Sequence, residues 1–465
     1  MHPILTRAGL GAMALCSALA AAAATAPSVP ADISARFREI HAKSISFPTV
    51  AGQGQVPTYA AYLAGVLTAG GFAPEDIMIT PLGETAFLVA RYRGKDPGAK
   101  PIVLSGHMDV VSANRADWVR DPFTAVVEDG FVFGRGSADN KFGVSSMVAT
   151  LLWLKAEGYK PRRDIVLALS GDEETTQATT AVLAEQLKNA ELVLNSDAGG
   201  ATLGDDGKPI VYGLQAAEKT YVDFEISFTN PGGHSSRPRA DNAIYRLARA
   251  IDHVAAFSFP RQVSELTRAY FRATGPITPG EAGAAMLRFA EDPSDAKAIA
   301  FLSSQPEFVG QLGTTCVATM LQGGHARNAL PQSAMVNVNC RVFPGVSIES
   351  VEETLVKVVD DPTAQFKIAN NPRPSDASPL RDDVMKAVRK AIDLRAPGLP
   401  IVPSMSAGAT DSLYFRNIGV PSYGVSGIFM HPKDEFAHGL NERVPLATFD
   451  GALLQWRSVL KDLSR

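Results

Sequence analysis

The sequence predicts an α/β fold in which a domain built on a mainly parallel sheet is interrupted by a smaller, ferredoxin-like α+β domain. Short apolar strands alternate with amphipathic helices as far as about residue 215, which is typical of a parallel sheet covered on both faces. A β-α-β-β-α-β order follows, and helix and strand patterns return from about residue 373. We therefore assign residues 31–215 and 373–465 to the first domain and residues 216–372 to the second.

The spacing of apolar residues predicts the individual elements. Helical spacing occurs in "YAAYLAGVLTAGGF", "FGVSSMVATLLWLKAEG" and "TTAVLAEQLK", and apolar runs in "KPIVLSGH", "DIVLALS" and "ELVLNSD" predict the buried strands between them. In the second domain, "YVDFEISF" alternates as a half-buried strand does, and "DNAIYRLARAIDHV" and "SIESVEETLVKVV" are predicted helices. A helical insertion punctuated by proline and glycine interrupts this domain at about 257–312.

Residues 1–26 have the character of a secretory signal peptide. A single arginine, Arg7, precedes an uncharged Ala- and Leu-rich run that ends in small residues, as signal peptides do before their cleavage site. An uncleaved membrane anchor is the alternative, because the run approaches the length of a bilayer span. The small residues favour cleavage, so we expect a periplasmic or secreted protein without a stable membrane span.

The charge of the chain argues against several classes of partner. There are 48 acidic and 44 basic side chains, a formal net charge of −4. The chain has no basic stripe for nucleic acid and no polybasic segment for an anionic membrane. Small molecules or peptides are the partners that this composition favours.

Two cysteines remain after removal of the signal peptide. Cys316 and Cys340 flank two predicted strands joined by a loop around Asn328, so a hairpin would place them opposite each other. In an oxidising compartment they could form a disulfide. Two buried free thiols are equally compatible with the sequence.

Polar residues of one kind follow the predicted strands of the first domain. The carboxyl ends of parallel strands share one edge of a sheet, where ligands bind in open α/β folds. Carboxylates gathered there would repel unless cations lay among them, and carboxylates with imidazole suit Zn²⁺, Co²⁺ or Mn²⁺. Taken singly, each has a structural explanation as a helix cap, an acid in a first helical turn or a core histidine. The residues are His107, Asp109, Asp139, Glu173, Glu174 and Asp197.

Seven motifs occur in order across residues 101–445: "SGHMDVV", "GRGSADNK", "SGDEE", "NSDAG", "PGGHSSRP", "GATDS" and "EFAHGLNERVP". Together they resemble the zinc exopeptidase and deacylase family of carboxypeptidase S, glutamate carboxypeptidase, carnosine dipeptidase, aminoacylase and succinyl-diaminopimelate desuccinylase. The stretch that ends in "DGFVFGRGSADNK" is most similar to the carboxypeptidase S branch. The resemblance covers nearly all of the chain after the signal peptide.

The resemblance implies a site for two divalent ions, zinc being the expected metal. Asp139 would bridge the ions, His107 and Asp197 would complete one set of ligands, and Glu174 and His438 the other. Two further acids would orient the histidines: Asp109 for His107, and Glu442 for His438. Glu173 would be the general base, which takes a proton from the attacking water and returns it to the leaving nitrogen.

The resemblance also implies a homodimer, in which the second domain would act as a lid and a dimerisation domain. His234 would reach the active site of the partner subunit and stabilise the oxyanion. Asn328 and Arg341 resemble lid positions that bind the substrate carboxylate or the developing charge, although a cross-strand ion pair is an alternative for Arg341. Gly408 and Thr410 resemble a loop of the substrate pocket.

Three departures from the family pattern are evident. Asn140 stands where many relatives have a second aspartate, and Phe142, where glycine is common, could narrow the metal-side wall. The 257–312 insertion has no equivalent in shorter relatives. It could cap the pocket, line it with apolar residues or alter the dimer interface.

Three functions are compatible with these residues. The first is a metal-dependent exopeptidase that removes the C-terminal amino acid of dipeptides or short peptides, and the second is an N-acyl amino acid deacylase with the same chemistry. The third, a metal-free binding protein on this scaffold, is disfavoured because the ligand set and the base are all present. Serine hydrolase chemistry is disfavoured because no G-x-S-x-G motif occurs.

Overall fold

A computed structural model of the chain describes residues 28–374 and 376–465. The predicted signal peptide, residues 1–26, lies outside the described residues. Within them, no helix has both the length and the apolar character needed to cross a bilayer.

The described residues form helices and strands that are numbered in chain order. The helices are α1 (Ala31–Ile45), α2 (Val56–Ala69), α3 (Lys141–Ala156), α4 (Ala178–Gln186), α5 (Ala243–Ala256), α6 (Glu265–Thr274), α7 (Gly280–Glu291), α8 (Ala296–Ser303), α9 (Pro306–Val309), α10 (Ile348–Val359), α11 (Asp382–Asp393), α12 (Ser412–Asn417) and α13 (Phe449–Leu463). The strands are β1 (Ile77–Leu82), β2 (Thr85–Tyr92), β3 (Ile102–His107), β4 (Val126–Glu128), β5 (Phe131–Phe133), β6 (Ile165–Ser170), β7 (Leu192–Asn195), β8 (Gly200–Leu203), β9 (Pro209–Glu218), β10 (Thr220–Thr229), β11 (Gly233–His234), β12 (Thr315–Gly323), β13 (Ala329–Leu330), β14 (Ser333–Val342), β15 (Gln365–Ile368), β16 (Ile401–Ser406), β17 (Ser422–Gly424), β18 (Phe429–Met430) and β19 (Arg443–Pro445).

A large mixed sheet forms the centre of the molecule, in the order β1-β2-β6-β3-β7-β17-β9-β8-β18, with β16 beside β9. Its middle strands β6, β3, β7 and β17 are parallel, whereas β1, β2 and β8 join their neighbours in antiparallel pairs. Helices α1, α2, α3, α11 and α13 cover one face, and α4 and α12 cover the other. Because helices cover both faces, the middle strands are buried along their whole length and are mainly apolar. The predicted α/β class is confirmed.

A second, antiparallel sheet has the order β12-β14-β10-β15. Helices α5 and α10 pack on one of its faces, against the alternate residues Val222, Phe224, Ile226 and Phe228 of β10. This β-α-β-β-α-β arrangement is the predicted ferredoxin-like sandwich. On β12 and β14, Cys316 lies directly opposite Cys340 and the two form a disulfide, as the hairpin prediction allowed.

The 257–312 insertion forms helices α6 to α9 around a small core of its own, which includes Phe271, Met286, Phe289 and Leu302. Although it interrupts the second sheet in sequence, helix α6 packs against β16 of the central sheet. Leu266 of α6 is buried in the central core. The insertion therefore belongs spatially to the edge of the central sheet.

Phe142 is placed differently from the expectation that it would narrow the pocket. Its ring is buried and packs against Phe37, His41 and Phe449. As the second residue of α3, it lies on the side of the helix that faces α1 and α13. Phe142 therefore contributes to the core rather than to the pocket wall.

A buried ion pair joins the central sheet to helix α12. Arg416 Nη1 donates to Glu218 Oε2 over 2.8 Å, and both side chains are 1% exposed. Glu218 Oε1 also accepts from Thr410 Oγ1, and Arg416 donates to the carbonyl of Ser422. Removing one partner of such a pair leaves an uncompensated charge in a low-dielectric environment.

We therefore expect Arg416→Met to lower the free energy of unfolding by about 3–5 kcal/mol, because Glu218 keeps its burial and loses its cation. Urea unfolding of wild type, single variant and Glu218→Gln/Arg416→Met double variant would test this. The double variant should be more stable than Arg416→Met, since it leaves no unpaired charge. Equal stability of wild type and Arg416→Met would show that the pair contributes nothing.

Candidate active site

Three adjacent parallel strands bring four of the predicted site residues to one edge of the central sheet. Ser105 of β3 pairs with both Ala168 of β6 and Asn195 of β7, so the three strands end at the same level. His107 is the last residue of β3. Glu173 and Glu174 follow the end of β6, and Asp197 follows the end of β7.

Asp139 reaches this edge by a different route from the one that the sequence suggested. The strand before it, β5, lies in a separate three-stranded sheet with β4 and β19. The loop after β5 is fixed instead by the buried carboxylate of Glu442, which accepts from the backbone N–H groups of Gly136, Ala138 and Asp139 over 2.9–3.0 Å. The same carboxylate pairs with Arg135 at 2.7 Å.

Glu442 therefore does not orient the ring of His438, and that expectation was wrong. Its carboxylate is fully occupied by the loop and by Arg135. Its influence on His438 is indirect, because Arg135 Nη2 donates to the His438 carbonyl over 3.4 Å. His438 has a left-handed backbone conformation with φ of 62°, which few residues other than glycine adopt.

The predicted metal ligands form two groups that share Asp139. His107 Nε2 lies 2.9 Å from Asp139 Oδ1 and 3.4 Å from Asp197 Oδ1. His438 Nε2 lies 2.8 Å from Glu174 Oε1 and 3.1 Å from Asp139 Oδ2. Within each group, the potential ligand atoms all lie within 4.8 Å of one another. Asp139 thus presents one oxygen to each histidine.

The first group is largely buried, and its charges compensate one another only in part. Burial lowers the pKa of His107, but Asp197, Asp109 and Asp139 together raise it well above its usual range. Burial raises the pKa of Asp197 to about 7, with Asp139 adding to the effect and His107 opposing it. Acids in this group therefore gain from any cation placed among them.

The second group is more open, because His438 is half exposed. Hydrogen bonds to Asp139 and Glu174 raise the pKa of His438 to about 10. Burial acts to raise the pKa of Asp139, yet hydrogen bonds from His107 and His438 hold it below its usual range. The shared carboxylate is therefore kept ionised between the two histidines.

Glu173 is buried beside the two groups. Burial raises the pKa of Glu173 well above its usual range, and the neighbouring acids Asp197, Asp411 and Glu174 add to this although His107 opposes it. A carboxylate with increased proton affinity suits a general base. His107, Glu173 and Glu174 also have potential ligand atoms within 4.8 Å of one another.

Asp109 supports both sides of the site. Its carboxylate lies 3.5 Å from His107 Nδ1, and its backbone carbonyl lies 3.1 Å from the same atom. The carboxylate oxygens also accept from the backbone N–H groups of Glu173 and Glu174 over 3.1 and 3.0 Å. Asp109 therefore links the histidine of the first group to the paired glutamates.

Two supporting contacts were not predicted from the sequence. Gln177 Nε2 donates to Glu173 Oε1 over 3.1 Å. Asn140 Nδ2 donates to Asp197 Oδ1 over 3.1 Å, and Asn140 Oδ1 accepts from Ser196. The spacing of four between Glu173 and Gln177 is the only sequence signal for the first contact, and it is too common to single out a residue.

A cavity of about 720 Å³ opens over both ligand groups. It is lined by the metal-side residues, by strands β8, β9 and β16, by the segment around α6 and by the loop that carries His438. Gly408 and Thr410 both lie in its wall. The Thr410 hydroxyl is engaged below the surface, because it donates to Glu218 and accepts from Asn195.

The remaining predicted residues do not line the cavity of this one chain. His234 is exposed on β11, where its Nδ1 lies 2.8 Å from Ser236 Oγ. Asn328 is exposed on the adjoining turn and accepts from the Ser235 N–H through its carbonyl. Arg341 lies over the ring of Tyr221 and donates to the carbonyl of Ala407 over 2.5 Å.

The chain is similar in sequence to known proteins. The model of peptidase family M20/M25/M40 matches residues 103–462. The N-fatty-acyl-amino acid synthase/hydrolase PM20D1 of Homo sapiens is 28% identical over 376 residues, which are 77% of this chain and 73% of that protein. The probable carboxypeptidase S-like 2 of Dictyostelium discoideum is 27% identical over 379 residues, covering 78% of this chain and 71% of that protein.

The fold is also found among solved structures. The M20 family metallo-carboxypeptidase Sso-CP2 of Sulfolobus solfataricus superposes with a TM-score of 0.66 at 18% identity, covering 91% of this chain and 98% of that one. The family match spans most of the chain and includes both ligand groups and Glu173. The chain is therefore a hydrolase that belongs to peptidase family M20/M25/M40.

Proposed function

We propose that the chain hydrolyses the amide bond of N-acyl amino acids, releasing a free amino acid and a carboxylic acid, with two divalent ions held at the shared Asp139. The observation that carries the proposal is a cavity in which the two ligand groups and Glu173 adjoin an uncharged wall. The described residues of β8, β9, β16 and the α6 segment that line the cavity include no charged side chain. An acyl group fits such a wall, whereas the charged amino end of a dipeptide finds no acid among these residues. Glu435, which also lines the cavity, lies on the loop that carries His438.

The donor set fits a pair of divalent ions. Two imidazoles and three carboxylates are ligands that Zn²⁺, Co²⁺ and Mn²⁺ accept, and zinc is the ion that we expect. His107 and Asp197 would hold one ion, Glu174 and His438 the other, and Asp139 both. When bound, the ions supply Lewis acidity that makes water more nucleophilic and the amide carbonyl more electrophilic.

Glu173 would move the protons. Its carboxylate takes a proton from the attacking water as the oxygen bonds to the carbonyl carbon. The same carboxyl group then gives that proton to the nitrogen as the C–N bond breaks. Gln177 would keep Glu173 Oε1 in place, and Asp109 would fix the backbone that carries it.

The amino-acid side of the substrate would lie towards Gly408. Arg341 donates to the carbonyl of Ala407, the residue before Gly408, and among the described residues it has no acidic partner within ion-pair distance. A guanidinium at this rim suits a substrate carboxylate. Asn328 is the other residue that we propose for binding the substrate carboxylate or the developing charge, and it lies on the turn beside His234 rather than beside Arg341.

We further propose that residues 216–372 serve as a lid and dimerisation domain, and that His234 stabilises the oxyanion in the partner subunit. His234 is exposed and does not line the cavity of its own chain. Strand β12 is at the edge of its sheet and exposes Val317, Met320 and Leu321 by 54–65%. An apolar edge strand of this kind is normally covered in a soluble protein.

A carboxypeptidase or dipeptidase acting on short peptides is the second candidate. It is favoured by the carboxypeptidase S-like relative and by the metallo-carboxypeptidase with the same fold. Periplasmic or secreted localisation is also part of the proposal. The signal-like residues 1–26 and the Cys316–Cys340 disulfide support it, since disulfides persist in oxidising compartments.

A hydrolysis panel of N-acyl amino acids, dipeptides and N-blocked dipeptides would test this proposal directly. We expect the purified protein to release amino acids from the N-acyl substrates, to lose this activity in chelator and to recover it with Zn²⁺, Co²⁺ or Mn²⁺. Mass spectrometry of the products is the measurement. Chelator-sensitive cleavage confined to peptides would replace the deacylase with the second candidate.

Glu442→Gln should weaken metal binding, because an amide cannot accept from all of the loop N–H groups that position Asp139. We expect the dissociation constant for Zn²⁺ to rise about 10–100-fold, as for other losses of residues that support metal ligands. Competition with a chromophoric chelator would measure it. The exposed Glu353→Gln on α10 is the matched control, and equal affinity in a folded Glu442→Gln protein would contradict the assignment.

Mixing two inactive variants would test the supply of His234 in trans. We expect Glu173→Gln to lower kcat by about 10²–10⁴-fold or more with metal content unchanged, and His234→Ala also to lower kcat without loss of metal. In a mixed dimer one site then contains both an intact Glu173 and the partner's His234. Subunit exchange should restore about a quarter of the wild-type rate. Absence of recovery in verified mixed dimers would place His234 in its own chain's site.

A further inference from the structure

Away from the two ligand groups, strand β9 of the central sheet forms the floor of part of the cavity, and we call this part the arm. Val211, Gly213 and Gln215 alternate along β9, so their Cβ positions lie on one face, and all three line the cavity. Gly213 is the centre of this floor, because it pairs with Gly200 of β8 on one side and with Val402 of β16 on the other.

The wall above this floor comes from the 257–312 insertion. Tyr270 and Thr274 lie one turn apart on α6, and Ile277 follows in the next turn; all three line the cavity. Ile428 and Met430 also line the cavity. The arm is continuous with the space over the two ligand groups, so the part of a substrate that enters it is covalently attached to the reacting carbonyl.

We propose that this arm is an acyl-chain subsite that takes a linear hydrocarbon chain, and that Gly213 sets how long a chain it accepts. The proposal rests on the function proposed above and adds the class of acyl group and the residue that selects it. The amino acid lies towards Gly408 and Arg341, and the acyl chain runs between α6 and β9. The insertion is thus a substrate-binding element that lines the pocket, which is one of the three roles considered from the sequence.

Glycine is not required at position 213 by the fold. A Cβ added there would have no atom nearer than the Gly200 carbonyl oxygen at 3.7 Å, and its backbone is not in the left-handed region. Gly200 differs, since its φ is 104° and an added Cβ would lie 2.7 Å from the carbonyl oxygen of Ile428. The missing side chain at Gly213 therefore leaves open space in the arm, and close approach of a ligand to the backbone is a common use of a strand glycine.

The test compares kcat/KM for one amino acid carrying saturated acyl chains of two to eighteen carbons. In wild type we expect kcat/KM to rise about fourfold with each added methylene until the arm is full, because burying one methylene contributes about 0.8 kcal/mol. In Gly213→Leu, kcat/KM should stop rising at a chain several methylenes shorter than in wild type. Its preference for the longest chains over the shortest should fall roughly 50-fold or more. Ile210→Leu, on the same strand but outside the cavity, is the control and should keep the wild-type profile.

A binding measurement separates the subsite from catalysis. Calorimetric titration of metal-loaded protein with octanoate and laurate, below their micellar concentrations, should show tighter binding of the longer chain in wild type and a smaller difference in Gly213→Leu. Thermal unfolding would verify that the variant is folded. If it is not, Ile277→Asp on the opposite wall takes its place and should also lower long-chain preference.

The outcomes distinguish this inference from the proposed function. Cleavage of N-acyl amino acids without dependence on chain length, or a profile unchanged in both folded variants, would overturn the acyl subsite and leave the deacylase intact. Cleavage of peptides alone would overturn the proposed function itself. A plateau that moves with Gly213→Leu or Ile277→Asp supports the subsite.

Discussion

The buried carboxylate of Glu442 accepts hydrogen bonds from three backbone N–H groups of one loop and pairs with Arg135, and the site depends on this interaction. The central sheet places His107, the paired glutamates and Asp197, but it does not place Asp139. Only the loop held by Glu442 brings Asp139 between the two histidines. Because Arg135 also contacts the carbonyl of His438, the same ion pair connects both ligand groups.

Crowded negative charge explains the supporting contacts around this arrangement. The acids at the edge of the sheet are close enough to repel, and burial increases the cost. Backbone N–H groups of the glutamate pair point to Asp109, and the Asn140 amide points to Asp197. These contacts supply positive ends of dipoles at an edge where carboxylates outnumber the imidazole of His107. Asn140 also avoids adding another carboxylate next to Asp139.

The parts of the site that follow a regular strand could be predicted from the sequence, since strand direction fixes where His107, Glu173, Glu174 and Asp197 emerge. The position of Asp139 in the fold could not be predicted, because the sequence of the three-residue strand β5 does not reveal which sheet that strand joins. The motif containing Glu442 identified an important residue but gave no information about its hydrogen-bond partners. Phe142 was misplaced for a similar reason: sequence position beside a ligand does not determine which side of a helix faces the core. The packing of the 257–312 insertion on β16 depends on contacts over long sequence distances, which periodicity does not report.

The order of elements along the chain has a consequence for the timing of folding. His438 contacts Glu174 across 264 positions, and Glu442 contacts Arg135 across 307. Contacts of such long sequence separation form late, because a large loop must first be closed. A nascent chain therefore lacks part of the candidate site until synthesis has passed Glu442. A product truncated before position 438 would lack both His438 and the carboxylate that holds the Asp139 loop.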